Sequence, residues 1–472
     1  QEIAIFEENN YLFKALDIAK STYRFYYLSQ DMCHIVGYTG NICSNKNSNI
    51  NKPDNFTVGQ VGLEKYYQNS LEGVFGYRQI EVDSKANIIR KIQTNNPLPG
   101  NNIHISINSK IQKNLTDLLD PAGGSAIVMN VENGAITALS STPTFDTNKL
   151  IKFDNNYWKE IINDSNLPLI NKSIKKLYAP GSIFKLVIIF AALEFGIDPS
   201  QKFFCSGKPY FSGNSFRCSK YSGHRNINMY DAVKYSCNHY IYNIVKIIGI
   251  DNIIDIAKKF GFGSKTGIDL PGEAKGLLPT PQWKFNKYKE KWRTGDSFNL
   301  AMGQGFILAT PIQMARFITA IASGGELFTP SIAQCNISST SNSNTGNNSG
   351  NKLNTRSKIV DIKKSNINIV QRMLYRVVNE KGGTGYKNAR LAHAYHQMAG
   401  KTGTAQVIAK SSVNNNLSSL SVKRKFRNHS TFIGYAPYNN PSHTVTVFAD
   451  HGGNGGGVAS SIARKITDDI LH

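Results

Sequence analysis

The apolar and polar positions after residue 100 follow the repeats of strands and helices. Residues 103–107 alternate in the manner of a β-strand, and residues 109–119 carry apolar side chains at helical spacing. Two alternating runs, residues 125–129 and 135–139, flank a turn that ends in Asn-Gly and predict a β-hairpin. The first hundred residues are more mixed, and they predict a small α+β region without evident chemistry.

Helical patterns dominate the middle of the chain. A nearly all-apolar helix is predicted to follow the Pro-Gly pair at residues 180–181 and to end before Gly196. Another helix should begin at Thr310, because Thr310 suits an N-cap, Pro311 the first helical position and Gln313 a capping box. Further strands are predicted at residues 398–407, 429–435 and 443–449, and further helices at residues 229–235 and 459–471.

Two polar stretches interrupt this pattern. Residues 336–357 are low-complexity sequence rich in Asn, Ser and Gly, which cannot bury a core, and they predict a disordered surface insertion. Residues 411–421 predict a second long loop.

The charge of the chain is strongly positive. Its 472 residues include 54 Lys and Arg against 32 Asp and Glu, a formal net charge of +22. This excess indicates either a solubilising surface or attraction to polyanions such as lipid phosphates. No zinc-finger, helix-turn-helix or RRM pattern accompanies the scattered lysines, which argues against nucleic acid as a partner. No apolar stretch is long enough to span a bilayer, and no signal peptide opens the sequence.

Ser182 and Lys185 stand at the start of the apolar helix. Their spacing puts both on one helix face, and Ser182 lies where a helix N-terminus offers unpaired N–H groups. A lysine in apolar surroundings can lose its proton near neutral pH and activate a serine as a nucleophile. The alternative is an N-cap serine beside a snorkelling lysine. A second S-x-x-K, at residues 173–176, has no buried helix directly after it.

Two further short motifs follow along the chain. Ser236-Cys237-Asn238 matches S-x-[ND] and lies between two helical segments, although this pattern recurs in an Asn-rich chain. Lys401-Thr402-Gly403-Thr404 lies on a predicted strand, whereas a second K-T-G at residues 265–267 lies in a Gly-rich loop. We expect glycine at position 403 because substrate backbone must approach the strand edge.

In this order the three motifs form the signature of serine acyltransferases. From residue 101 to residue 472 the chain resembles the class B (monofunctional) penicillin-binding proteins. The resemblance extends to Gly261-Phe262-Gly263, residues 266–273, Gly303-Gln304-Gly305 with Thr310-Pro311, and Gly434-Tyr435-Ala436-Pro437. It implies an α+β transpeptidase fold of the penicillin-binding and serine β-lactamase type, with an antiparallel sheet flanked by helices and a helical subdomain.

The N-terminal part resembles the end of the non-catalytic pedestal (dimerisation-type) domain of elongation-specific members, in residues 34–38, 62–64 and Tyr66. We therefore expect a pedestal segment at residues 1–100 and a transpeptidase domain at residues 101–472. Such proteins begin with a membrane helix that this sequence lacks, so we expect an anchor to be missing from it. The resemblance implies a place at the periplasmic face of the bacterial inner membrane. It also implies stem peptides, β-lactams, a SEDS-type lipid-II polymerase and elongation-complex proteins as partners.

The resemblance also assigns roles to the first two motifs. Ser182 is expected to attack the D-Ala–D-Ala carbonyl of a peptidoglycan stem peptide with loss of D-Ala, and Lys185 to act as general base. Ser236 and Asn238 are expected to pass protons to the leaving group and to hold the substrate amide. An amine of a second stem peptide then takes the acyl group, which cross-links the wall during elongation.

The resemblance implies that the third motif binds the substrate. Lys401 and Thr402, with Gly403 and Thr404, are expected to bind the carboxylate of the stem peptide or of a β-lactam. The N–H groups of Ser182 and Thr404 would form the oxyanion hole, and the chemistry requires no cofactor. Two alternatives stay open: a D,D-carboxypeptidase or β-lactamase that hydrolyses the acyl-enzyme, and a non-catalytic β-lactam sensor or scaffold. The intact motifs argue against the sensor.

Three cysteines and a histidine precede or interrupt the second motif. Cys205, Cys218, His224 and Cys237 follow the pattern C-x12-C-x5-H-x12-C. Three thiolates and one imidazole form a standard tetrahedral zinc set, and the alternative is buried or disulfide-paired cysteines. Some elongation-type members carry zinc beside the active site, bound in part by the middle residue of S-x-[ND]. The resemblance therefore favours a structural zinc.

Overall fold

The computed structural model describes most of the chain. The described residues are 2–12, 23–41, 57–84, 88–152, 154–208, 210–211, 214–215, 217–334, 357–393, 395–406 and 426–472. The predicted insertion at residues 336–357 and the predicted loop at residues 411–421 therefore lie outside them, except for residue 357. Among the described residues, no helix has both the length and the hydropathy needed to cross a bilayer.

The N-terminal region is built of short elements. They are α1 (Glu2–Glu8), a 3-10 turn (Asn10–Leu12), β1 (Thr39–Asn41), β2 (Thr57–Gly59), α2 (Gly62–Tyr66), α3 (Gln68–Leu71), β3 (Tyr77–Val82) and β4 (Ile88–Asn95).

Longer elements make up the rest. They are α4 (Ser109–Leu119), β5 (Gly124–Asn130), β6 (Ile136–Thr142), α5 (Thr147–Ile151), α6 (Asn155–Asn163), a 3-10 turn (Gly181–Ile183), α7 (Lys185–Glu194), β7 (Phe203–Cys205), β8 (Tyr210–Phe211), β9 (Asn214–Ser215), β10 (Arg225–Ile227), α8 (Met229–Lys234), α9 (Asn238–Lys259), α10 (Pro281–Tyr288), α11 (Thr294–Ala301), α12 (Pro311–Ala322), β11 (Glu326–Phe328), β12 (Ser357–Ile359), α13 (Lys364–Asn379), β13 (Ala399–Ala405), β14 (His429–Ala436), β15 (His443–Ala449) and α14 (Val458–Leu471).

The centre of the molecule is an antiparallel sheet of five strands in the order β13-β14-β15-β5-β6. Helices cover both of its faces. On one face Thr319 of α12 bonds Thr444 of β15, and on the other the N–H of Ala459 in α14 donates to Ser430 of β14. Because both faces are covered, β14 and β15 are buried along nearly their whole length. The strand β13 lies at one edge of the sheet, next to β14.

A helical region packs beside the sheet around α7. The residues of α7 from Lys185 to Leu193 are all buried, because α9 and α13 pack against it and no side of the helix faces water. This explains why its sequence is apolar on every face rather than amphipathic. The fold confirms the expected α+β architecture of an antiparallel sheet flanked by helices with a helical region beside it.

The N-terminal region packs directly on the rest of the chain. Ile35 and Leu63 belong to the same buried cluster as Ile127 of β5 and Ile312 of α12. The phenol of Tyr67 also donates to Asp269 at 3.0 Å. These contacts join the two predicted segments through a shared apolar core.

Most of the predicted elements are confirmed. The hairpin forms as β5 and β6, and α12 begins with the predicted capping box between Thr310 and Gln313. The strand predicted at residues 103–107 is wrong: only Ile105 forms a bridge, with Ala333. The pairing ends there because Asn108, as N-cap, turns the chain into α4.

Candidate active site

Ser182 lies in the 3-10 turn that leads into α7. The preceding Gly181 adopts φ +57°, and a Cβ there would lie only 2.4 Å from the carbonyl oxygen of Thr404. On the other side, the N–H of Gly181 donates to the carbonyl of Gly303 at 2.9 Å. Glycine is therefore required at position 181, because the serine turn is held between two backbone segments.

Lys185 occupies the centre of the site. Its side chain is buried, and Nζ lies 2.9 Å from the Ser236 carbonyl, 3.1 Å from Ser236 Oγ and 2.5 Å from Asn238 Oδ1. Burial lowers the pKa of Lys185 to about 8, although the nearby thiols of Cys237 and Cys218 act in the opposite direction. These bonds of Lys185 bring the first two motifs together.

Ser236 and Asn238 lie at the junction of α8 and α9. Ser236 has φ +54°, a left-handed conformation that is costly for a residue with a side chain. Asn238 begins α9, and its Nδ2 donates to the carbonyl of Arg217 at 2.9 Å. The sharp turn between the helices thus directs both side chains towards Lys185.

The K-T-G-T motif lies on the edge strand β13. Lys401 is fully buried, and burial together with the charge of Lys185 holds its pKa well below the usual range of lysine. Thr404 Oγ1 accepts a hydrogen bond from the N–H of Gly455 at 3.0 Å. A Cβ at Gly403 would lie 2.3 Å from Thr431 Oγ1, so crowding by a neighbouring strand requires the glycine. This reason differs from the expected approach of substrate backbone.

The second copies of the motifs have structural partners instead. Ser173 shares a hydrogen bond of 2.8 Å with Ser125, and Lys176 pairs with Asp450 at 2.8 Å. In the second K-T-G, Thr266 bonds Glu273 through both its N–H and its hydroxyl. The structure therefore brings the predicted copy of each motif into the common site and leaves the second S-x-x-K and the second K-T-G outside it.

Sequence reasoning missed two side chains that hold the site. Gln304 Nε2 donates to the carbonyl of Thr404 at 3.2 Å, and Thr402 Oγ1 donates to Thr384 Oγ1 at 2.8 Å. Gln304 lies within a segment used only as evidence of resemblance. Thr384 lies in a Gly-rich turn that resembles any loop, so neither residue carried a recognisable signal.

The predicted metal ligands come together beside the second motif. One ligand atom each from Cys205, Cys218, His224 and Cys237 lies within 4.8 Å of all the others. Cys218 Sγ lies 3.6 Å from Cys237 Sγ and 3.5 Å from His224 Nδ1. The hydrogen bond with Cys237 is the main cause that holds the pKa of the Cys218 thiol below its usual range. The three cysteines are free, so the alternative of a disulfide among them is wrong for this structure.

Two of these distances are close to those of a tetrahedral zinc site. Zn–S bonds of about 2.3 Å place the sulfurs of a tetrahedron about 3.8 Å apart, and Zn–N bonds of about 2.0 Å bring a ring nitrogen slightly closer. The observed separations of 3.5 Å from Cys218 Sγ to His224 Nδ1 and 3.6 Å to Cys237 Sγ are close to those values, whereas the four ligand atoms as a set spread over up to 4.8 Å.

Comparison with known proteins shows the family. The family described as the penicillin binding protein transpeptidase domain matches residues 124–468, and that described as the penicillin-binding protein dimerisation domain matches residues 1–105. The peptidoglycan D,D-transpeptidase MrdA of Haemophilus influenzae is 30% identical over all of this chain and 73% of its own length. The chain belongs to the penicillin-binding protein transpeptidases. It is a serine-type peptidoglycan D,D-transpeptidase of the PBP2 type.

Another relative and two solved structures are also similar to this chain over nearly its whole length. MrdA of Salmonella typhimurium strain LT2 is 31% identical over all of this chain and 76% of its own length. PBP2 of Helicobacter pylori in complex with MreC has a TM-score of 0.81 at 28% identity, over 94% of this chain and 78% of that one. PBP2 of Pseudomonas aeruginosa in complex with WCK 5153 has a TM-score of 0.77 at 27% identity, over 96% and 93% of the two chains.

Proposed function

We propose that this penicillin-binding protein cross-links peptidoglycan stem peptides through an acyl-enzyme on Ser182 during cell elongation. Ser182 Oγ attacks the D-Ala–D-Ala carbonyl, D-Ala leaves, and the amine of a second stem peptide takes the acyl group. The bonds of Lys185 to Ser236 and Asn238, which join the first two motifs, support this proposal most directly. β-Lactams inhibit the enzyme by acylating the same serine.

Lys185 serves as the general base of acylation. A neutral amine has two N–H donors and one lone pair. The carbonyl of Ser236 and Oδ1 of Asn238 accept the two N–H bonds, so the lone pair remains for a serine proton. The lowered pKa of about 8 makes the neutral form available near neutral pH.

Ser236 then passes the proton onward. Its hydroxyl lies 3.1 Å from Lys185 Nζ and is fixed by the turn between α8 and α9. A proton taken from Ser182 by Lys185 can therefore reach the leaving amine through Ser236. Asn238, held by Arg217, is placed to bind the substrate amide.

The edge strand β13 binds the substrate end. We assign the oxyanion hole to the N–H groups of Ser182 and Thr404, because Gly181 brings the serine turn against Thr404. Lys401 and Thr402, with the Thr404 hydroxyl, bind the carboxylate. Thr404 Oγ1 already accepts a bond from Gly455, so its own proton is left to donate.

We also propose a structural zinc on Cys205, Cys218, His224 and Cys237, although the transpeptidation itself needs no cofactor. The distances support the ligand set, and four protein ligands would leave no open position for a reacting water. When bound, the ion would join the loop before α8 to Cys237, the middle residue of the second motif.

We place the reaction at the periplasmic face of the inner membrane, beside a SEDS-type lipid-II polymerase and other elongation proteins. The structural likeness to PBP2 of Helicobacter pylori bound to MreC and to a peptidoglycan synthase complex supports such partners.

The test separates turnover from single acylation. Purified protein is incubated with a stem peptide ending in D-Ala–D-Ala and an acceptor amine, while fluorescent penicillin measures the acylated fraction. We expect repeated release of D-Ala with formation of the cross-linked peptide. Lys401→Ala should abolish it, whereas Lys265→Ala, in the second K-T-G, should not. Stoichiometric labelling without turnover would indicate a sensor, and D-Ala release without cross-linking a carboxypeptidase.

A further inference from the structure

Thr384 lies in the turn that follows α13, residues 380–385. Thr402 Oγ1 donates to its hydroxyl at 2.8 Å. Thr402 belongs to the edge strand β13, so this bond joins a side chain from outside the three motifs to the strand that we propose to bind the substrate. The three motifs assign no role to the side chain of Thr384.

The turn is held rigidly on both sides of Thr384. The N–H of Thr384 donates to the carbonyl of Lys234, two residues before Ser236. A Cβ at Gly456 would lie 2.6 Å from the carbonyl oxygen of Thr384, and a Cβ at Gly383 would lie 2.2 Å from that of Val377. The hydroxyl of Thr384 is therefore presented from a backbone with little freedom to move, between the second motif and the third.

The pair of hydroxyls has one proton left over. Two threonine hydroxyls carry two protons, and the bond between Thr384 and Thr402 uses one of them. An ionised carboxylate accepts hydrogen bonds and donates none. The remaining proton can therefore go to a substrate carboxylate beside β13. The hydroxyl of Thr404 can also donate, because its oxygen accepts a hydrogen bond from the N–H of Gly455 and the hydroxyl proton is not used in that bond.

We propose that Thr384 is a specificity-determining residue for the terminal carboxylate of the substrate. With Thr402 it forms a hydroxyl pair that supplies one oriented donor, and Thr404 supplies a second. This inference rests on the proposed function, since it concerns the same carboxylate. A bond from a hydroxyl to an ionised group is stronger than one to a neutral group, so the effect should depend on the substrate charge.

The test compares benzylpenicillin, whose carboxylate is ionised, with its methyl ester, in which an added methyl group removes that charge. The measured quantity is the second-order rate constant of acylation. Thr384→Val keeps the shape of the side chain and removes the hydroxyl. We expect it to lower the rate constant for benzylpenicillin by about tenfold or more and that for the ester by less than twofold. Thr384→Ser should restore the wild-type difference between the rate constants for the two probes. Lys381→Ala, an exposed change in the same turn, should leave both rate constants as in the wild type.

Two further variants distinguish this inference from the proposed function. Thr402→Val should reduce the preference for benzylpenicillin, and the double variant should be little worse than Thr402→Val alone, because the two hydroxyls act as a pair. Suppose that Thr384→Val lowers the acylation rate constant equally for both probes, or not at all, while Thr402→Val still reduces the preference for benzylpenicillin. That result would overturn the inference and leave the proposed function intact. If Thr402→Val also keeps the wild-type preference, the carboxylate assignment of the strand fails, and the inference fails with it.

Discussion

The nitrogen of Lys185 is the point at which two motifs far apart in the chain meet. A buried ammonium would be costly, and its three oxygen neighbours offset that cost only in part. Burial consequently lowers the pKa of Lys185 to about 8. The same side chain can therefore be stable in the fold and still lose its proton at a pH where the enzyme works.

The acylation rate should follow the protonation of Lys185. Protonation removes the lone pair that accepts the serine proton, so the rate should fall as the pH falls through about 8 and level off above it. Stopped-flow acylation by benzylpenicillin between pH 6 and 10 measures this profile. Lys185→Arg, which stays protonated, should be slow at every pH. A wild-type rate that is flat from pH 6 to 9 would contradict the assignment.

The sequence predicted the residues with distinctive chemistry and missed those that act through them. Ser182 and Lys185 were predictable because a charged residue within an apolar helix needs a chemical reason. The choice of Ser236 rested on its position, between two helical segments and 54 residues after Ser182. Thr384 and Gln304 approach the site through long-range folding, and nothing in their local sequence indicates that they contact the K-T-G-T strand.

At the scale of elements, the four proposed zinc ligands connect short strands to the helix that carries part of the second motif. Cys205 ends β7, Cys218 and His224 follow in the intervening loop, and Cys237 is the N-cap of α9. His224 also stacks on Tyr235, next to Ser236. Because β7 to β10 are only two or three residues long, their own hydrogen bonds hold the segment from β7 to β10 weakly.

Loss of one proposed zinc ligand should therefore loosen the segment from β7 to β10 beside the second motif and slow acylation. Structural zinc in small domains contributes roughly 10 kcal/mol or more of apparent binding free energy. Protein purified without a His tag should contain about one zinc per chain, and Cys218→Ser should lower zinc content, melting temperature and acylation rate together. Cys33→Ser, a change of a buried free cysteine outside the cluster, should leave the zinc content unchanged. Zinc-free protein with a normal acylation rate would contradict the metal site.

Element boundaries were predictable where local chemistry determines them. The capping box of α12 and the hairpin of β5 and β6 depend on residues close in sequence, and both formed as predicted. Residues 103–107 show the limit of this reasoning. Their alternation is real, but the partner segment around Ala333 is far away in sequence and pairs with Ile105 alone.

At the scale of the whole molecule, Asp450 joins the sheet to the segment that precedes Ser182. Its carboxylate forms ion pairs with Lys172 at 3.1 Å and Lys176 at 2.8 Å, and it accepts a hydrogen bond from the phenol of Tyr178 at 3.0 Å. Burial would raise the pKa of Asp450, but the two lysines outweigh it and lower that pKa to about 2. The ionised carboxylate therefore stabilises the folded state.

This stabilisation should disappear in acid. The folded pKa lies below the unfolded one, so the contribution is complete above about pH 4 and is lost as the pH falls towards 2. Asp450→Asn should lower the free energy of unfolding by about 2 kcal/mol at pH 7, and the difference should shrink below pH 4. Urea titrations at several pH values measure it. Asp361→Asn, at an exposed carboxylate, should show little change, and a constant difference for Asp450→Asn down to pH 2 would contradict the account.

The overall topology was available from the sequence only through resemblance. Periodicity predicted each of the five strands, but their order depends on contacts between segments more than 300 residues apart, as between β5 and β15. The same holds for the N-terminal region, whose Ile35 and Leu63 pack in the transpeptidase core. The short, mixed patterns of that region gave no indication of these partners.

The most direct test of the account is intact-mass spectrometry after reaction with benzylpenicillin, followed by peptide mapping. We expect one adduct per chain, on the peptide that contains Ser182, and no adduct in a folded Ser182→Ala variant. An adduct on the peptide that contains Ser173, or labelling of Ser182→Ala at the wild-type rate, would contradict it.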